Sequence, residues 1–259
     1  MRKVALLVGV LLFSGAAVTQ TPANDRARKI VDQAVQALGG QTWLSIRDYR
    51  AEGTAYSFNR FEEMKGRAPI VNYERYPDKF RQEVGKHHDD INIVNGDHGW
   101  NSDYKGVAEL PATEVERIRF GRSLNVETIL RFRLKEPGIT LTYMGSDFID
   151  GRLVEKVEFA DAENNVATIS FDEQTHLPVR RQWERKLPNR EREDNVETLG
   201  NYVALRNATV QFPHYIRRER NGIKIFEAFW SDIEIGKAPE SLFERPGGKE
   251  RIDVPSRKK

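Results

Sequence analysis

Cysteine is absent from this chain, which excludes disulfides, thiolate metal sites and a cysteine nucleophile. Long apolar runs are also missing: the longest, Val4–Phe13, has ten residues, against the roughly 20 that a membrane-spanning helix needs. No G-x-S-x-G elbow occurs and no glycine-rich loop opens a helix, so nothing marks a serine hydrolase or a phosphate cradle. No internal repeat of 20 to 50 residues is present, which excludes a solenoid or propeller. Charge of either sign is not in excess. The first nineteen residues hold two basic and no acidic side chains, leaving 39 of each sign beyond them. A nucleic-acid or anionic-membrane partner, which favours a clear basic surplus, is not indicated.

What is present begins with a targeting pattern. Arg2 and Lys3, the Val4–Phe13 run and the small residues Ser14, Gly15, Ala16 and Ala17 follow the order of a secretory signal peptide. Residues 1–19 are expected to be that signal, cut between Ala16 and Thr19, with 20–246 a single domain and 247–259 a charged, frayed tail. With no cysteine to lipidate, the exported chain is expected to be released rather than anchored.

Composition, 39% hydrophobic and 31% charged, suits a globular domain with a sizeable core. Residues 24–38 place Ala27, Ile30, Val31, Ala34, Val35 and Leu38 on one helical stripe that stops at Gly39-Gly40. From Ile46 the period changes to two, punctuated by turn signals such as Asn95-Gly96-Asp97, Asp150-Gly151 and Asn221-Gly222. In residues 111–135, Val115, Ile118, Val126, Ile129, Leu130 and Leu134 return to helical spacing, which predicts two short helices broken near Gly121–Asn125. The expected fold is therefore mainly β with some α: a half-open, curled antiparallel barrel of about ten to twelve strands over two or three helical segments. So wide a sheet must cover its apolar face with helices, a second sheet or a ligand.

Four stretches resemble, in order, the periplasmic outer-membrane lipoprotein-sorting proteins and their mycobacterial lipid-carrier relatives: "ALGGQTWLSIRDYRAEGT" (37–54), "GDHGWNSD" (96–103), "GRLVEKVEF" with "VATISFDEQTHLPVRR" (151–181), and "FPHYIRRERNGIKIFEAFWSDIEIGKAPESLFERP" (212–246). The resemblance implies a half-open β-barrel over a few helices, with an apolar cavity for acyl chains of a lipid or lipoprotein. Carriers in that family use a basic residue on an early strand to hold a lid closed; Arg47 and Arg50 lie on the first strand here, and the role is assigned to neither. Residues 187–211 are longer and more charged than the family pattern.

Other candidate chemistry is sparse. His87, His88 and His98, with Asp89, Asp90 and Asp97, form the one cluster with metal-ligand character, and through it an envelope hydrolase is a minority reading. Neighbouring strand residues face opposite sides, however, so a solvated hairpin end is the ordinary interpretation and no metal is expected. Glu155, among Leu153, Val157 and Phe159 on an apolar face, would have a raised carboxyl and acid-catalyst character if buried, but reads first as a strand-edge residue or the partner of Arg181. Trp43, Trp100, Trp183 and Trp230 read first as core, while Phe226, Phe229 and Trp230 put aromatic bulk on both sides of one strand. The runs Arg180-Arg181, Arg185-Lys186 and Arg217-Arg218, interleaved with glutamates, suggest a solvated outer face.

These observations lead to a non-enzymatic, monomeric periplasmic carrier of lipid or lipoprotein acyl chains, with no cofactor and an envelope donor or acceptor as protein partner. Alternation nominates Phe80, Ile93, Tyr143, Phe159, Phe171, Trp183 and Phe229 as cavity lining. The alternative is an interaction module whose core is filled by its own side chains.

Overall fold

The computed structural model describes residues 22–187, 189, 191–205 and 209–251; the expected signal peptide and cleavage site lie outside them. No helix among these residues is long and apolar enough to cross a membrane. The chain opens with α1 (Pro22–Leu38) and α2 (Gly40–Ser45), separated by Gly39. Gly39 has φ 124°, and a Cβ there would sit 2.9 Å from the Val210 backbone, so both conformation and space require glycine. The helical stripe is buried as its spacing predicts, with Ala27, Ile30, Val31, Ala34 and Leu38 at most 4% exposed. Each of its larger aliphatic side chains contributes about 1.5–3 kcal/mol relative to exposure.

Two meanders follow. β1 (Asp48–Phe58), β2 (Met64–Arg75), β3 (Lys79–Val84), β4 (Asp90–Asn95), β5 (His98–Asp103) and β6 (Gly106–Glu109) form the first. After α3 (Ala112–Ser123), α4 (Val126–Arg131) and a 3₁₀ turn (Arg133–Lys135) comes the second: β7 (Thr140–Ile149), β8 (Arg152–Ala160), β9 (Val166–Asp172), β10 (Pro178–Lys186), β11 (Arg192–Ala204), β12 (Gln211–Arg220) and β13 (Ile223–Ile235). Pairing of β1 with β13 joins the halves into one antiparallel sheet of 13 strands, whose edges are β6 and β7. The sheet is curled and not closed. It has one strand more than the upper expectation, because the four-residue β6 is too short to leave a periodic signature. Asp150-Gly151 and Asn221-Gly222 take the paired left-handed conformations of tight hairpin turns.

The main core lies on the inner face. There α1, Trp43 and α4 pack on Leu141, Val157, Phe159, Ala167, Ile169, Phe171, Leu199 and Ala228. A smaller core sits on the other face, where Ile93, Ala238 and Phe243 meet under the segment after β13. That segment is pinned by Arg75, which donates to the Ala238 carbonyl at 2.9 Å, and by the Lys79–Glu240 pair. Further along, Val107 donates to the Lys249 carbonyl at 2.9 Å, Arg251 donates to the Val107 carbonyl at 2.7 Å, and the Arg251 guanidinium reaches Asp103 at 2.8 Å. Unpaired backbone groups on an edge strand recruit such partners, and β6 is that edge.

Candidate cleft under the helical segment

α3 and α4 cross between the two free sheet edges on the inner side, and beneath them lies a half-open cleft of about 1580 Å³. Phe120, Phe132, Trp183 and Thr128 line it, while Arg117, Arg185, Lys186, Arg192, Glu116 and Glu184 add charge to the wall. Small-molecule pockets are roughly 300–1,000 Å³, so this space suits a larger or multi-chain guest.

Besides the buried Leu124, Val126, Ile129 and Leu130, arginines tie the helical segment to the rest of the fold. Arg122 of α3 binds Glu74 of β2 through both guanidinium branches, one at 2.9 Å, and its plane covers Phe80. Arg131 of α4 lies 4.0 Å from the Trp43 ring and 4.8 Å from that of Tyr76, and donates to the Ile46 carbonyl at 3.3 Å. Arg133 donates to Asp161 at 2.9 Å and to Glu136 at 3.0 Å.

From the sheet, Arg181 of β10 reaches up to the break between α3 and α4. It donates to the Gly121 carbonyl at 2.9 Å and to Asn125 Oδ1 at 2.6 Å, pairs with Glu197 at 3.1 Å, and stacks 3.8 Å from the Trp183 ring. Its side chain is only 2% exposed. Arg181 therefore does not lie on a solvated outer face, nor does it pair with Glu155, which binds Arg26 of α1 at 2.7 Å. The physical reason is parity: Arg181 shares its side of β10 with Trp183, and Glu197 shares its side of β11 with the buried Leu199. Burial pushes the Glu197 carboxyl up, but Arg181 and Arg218 hold it below its ordinary value. Glu127 on α4 is the opposite case, since burial raises its carboxyl despite nearby Arg131.

Of the residues nominated as lining, Trp183 borders the cleft. Phe159 and Phe171, each 1% exposed, belong to the core under α1, and Tyr143 packs against it beneath Arg26. Phe80 faces α3 below Arg122. Ile93 is on the other face, in the small core with Phe243. Phe229, 44% exposed, also faces outward, edge to face with Tyr56 and beside Tyr215. The histidines are spread along a rim: His88 lies 3.8 Å from Glu83, and His98 lies 3.9 Å from Glu109 and stacks on Trp100. Among the described residues no three metal-ligating side chains converge.

No protein-family model and no curated protein sequence matches the chain. Solved structures do. A LolA superfamily protein from Nitrosomonas europaea superposes with TM-score 0.53 at 9% identity, covering 84% of this chain and 97% of that one. A DUF1329 family protein from Desulfovibrio piger gives 0.53 at 12% identity with the same coverage. A putative outer membrane lipoprotein-sorting protein domain from Vibrio parahaemolyticus gives 0.51 at 12%, again covering 84% and 97%. The chain shares the fold of these three structures.

Within this fold, the cleft residues that alternation did not nominate are Phe120 and Phe132. Both sit on the helical segment, where a strand period carries no information. Phe120 adjoins the break at Gly121–Asn125 and Phe132 caps the end of α4.

Proposed function

We propose that the protein is a non-enzymatic carrier that holds acyl chains of a lipid or lipoprotein in the cleft under α3 and α4, working in the periplasm after export. The observation that supports this most directly is the cleft itself, about 1580 Å³, bounded by Phe120, Phe132 and Trp183 and left half open. The fold likeness to a LolA superfamily protein and to a lipoprotein-sorting domain agrees with it. Burial is a sufficient mechanism: each CH₂ removed from water contributes about 0.8 kcal/mol, so a long chain is held without a catalytic group. Release then requires a donor or acceptor in the envelope to loosen the helical segment. Native mass spectrometry of protein purified from its host tests the reading. A co-purifying acyl lipid or acylated peptide is the expected result; a ligand-free protein that also ignores added fatty acids and phospholipids would refute it.

One observation favours a second reading, an envelope interaction module. The α1 side of the trough is filled by the protein's own Trp43, Phe159 and Phe171. Capture of an envelope protein by a chain that binds no lipid would decide for it.

A further inference from the structure

Six arginines line the cleft, and each one already holds a carboxylate of this chain. Arg133 is held by Glu136 at 3.0 Å and Asp161 at 2.9 Å, and Arg122 by both branches of Glu74. Arg117 reaches Glu114 at 2.8 Å, Arg185 reaches Glu193 at 3.3 Å, Arg192 reaches Glu184 at 2.5 Å, and Arg119 pairs with Asp97. Lys186 is the one lining cation without an ion pair among the described residues, and it is exposed.

An incoming phosphate or carboxylate would have to share an arginine with its carboxylate or settle at Lys186, in a lining where eight acidic side chains face seven basic ones. The incoming anion would then lie beside resident carboxylates, a like-charge contact that is most unfavourable at the shielded Arg122–Glu74 and Arg133–Asp161 pairs. Glu116, Glu158 and Asp194 also border the cleft and add to that repulsion. An uncharged head behaves differently. Carboxylate oxygens keep free lone pairs while bound to arginine, so hydroxyl or amide groups can donate to them and leave every ion pair intact. Resting on the carrier reading above, we infer that the guest is an amphiphile whose head is uncharged and bears hydroxyls or amides, and that the paired arginines exclude anionic heads.

A matched pair of probes isolates the head. Binding of 1-oleoylglycerol and of 1-oleoylglycerol 3-phosphate is followed by tryptophan fluorescence at fixed ionic strength, with an uncharged triacylated cysteinyl peptide as a third arm. The expected result is at least tenfold tighter binding of the glycerol form than of its phosphate. The peptide arm separates a lipoprotein end from a free glyceride as the source of the same chemistry: tighter binding than 1-oleoylglycerol assigns the guest to a lipoprotein, weaker binding to a lipid, and either supports the inference. Equal or tighter binding of the phosphate overturns the inference while leaving acyl binding standing. Failure of all three probes overturns the carrier reading and the inference with it. Glu136 and Glu184 are exposed, so E136Q/E184Q should fold. By loosening Arg133 and freeing Arg192, it should bind the phosphate at least threefold more tightly; an unchanged affinity would show that the paired carboxylates do not cause the exclusion.

Discussion

Replacing Arg181 with methionine keeps the bulk of the side chain and removes its charge and donors. Three acceptors lose a partner: the Gly121 carbonyl, Asn125 Oδ1 and the Glu197 carboxylate. Taking one member from a buried ion pair costs about 3–5 kcal/mol, because the other charge stays in a poorly solvated place. Glu197 retains Arg218 at 2.7 Å, and that arginine is 45% exposed, which puts the loss at the low end, about 3 kcal/mol. For a domain of this size, 1 kcal/mol corresponds to roughly 2–4 °C, so Tm should fall by about 6–12 °C. Urea titration followed by circular dichroism measures the change, and hydrogen exchange should show residues 112–131 opening first. The double variant R181M/E197L removes the stranded charge and should recover at least half of the loss. A single-variant loss below about 1 kcal/mol, or a double variant less stable than the single, would refute the claim that this pair fastens the helices.

Acid should unfold the protein partly through the same groups. Burial pushes Glu197 and Asp161 up, but arginine and hydrogen-bond partners leave both below their ordinary values. Their contribution is therefore complete above the normal carboxylate range and lost as pH falls from that range through their lowered values, so E197Q should flatten the acid limb of a Tm-versus-pH curve. Glu127 carries the opposite sign: its raised carboxyl makes ionisation unfavourable in the fold, so E127Q should raise Tm at pH 7 and have little effect near pH 3. Gly53 lies at the bulge where β1 meets β13, and a Cβ there would sit 2.0 Å from the Phe229 carbonyl oxygen. G53A should cost roughly 3 kcal/mol by denaturation, and a neutral result would place the bulge elsewhere. F243A should cost about 3 kcal/mol by emptying the small core around Ile93, measurable as a lower urea midpoint.

Most of the architecture was legible because its signals are local. The α1 stripe, the hairpin turns at Asp150-Gly151 and Asn221-Gly222, and the break between α3 and α4 each follow from a few neighbouring residues. β6 was not, since four residues carry too little alternation. The candidate site was less legible. Parity along β10 already puts Arg181 on the side of Trp183, yet a run of mixed charge reads as solvated unless parity is given precedence. The aromatic nominees are spread over several places for a related reason: alternation says which residues share a face, not which face is inner. Phe229 alternates with the buried Ala228 and Trp230, and those two won the inner side. Partner choice, such as Arg122 with Glu74 across 48 positions, depends on the assembled sheet and has no local trace.

α1 and α3 cover this sheet with different chemistry, and that difference accounts for the cleft. α1 presents small and branched apolar side chains, which settle at close-packing distance and leave no room beneath them. α3 buries only Val115 of its twelve residues, and α3 and the turn after α4 reach the sheet through long arginine side chains that end on acids. A guanidinium propped between a helix and a carboxylate is a strut: it holds the helix off the sheet by its own length and resists collapse, because approach would desolvate the charges further. An apolar α3 would close the gap and gain burial. R122M/E74L should test this, since well-packed apolar replacements of a buried pair are often neutral or stabilising by about 1–4 kcal/mol. Unchanged or higher stability, together with at least a tenfold loss of 1-oleoylglycerol binding, is the expected outcome. A variant that keeps its stability and binds the lipid as tightly as the parent would show that the arginines do not hold the space open.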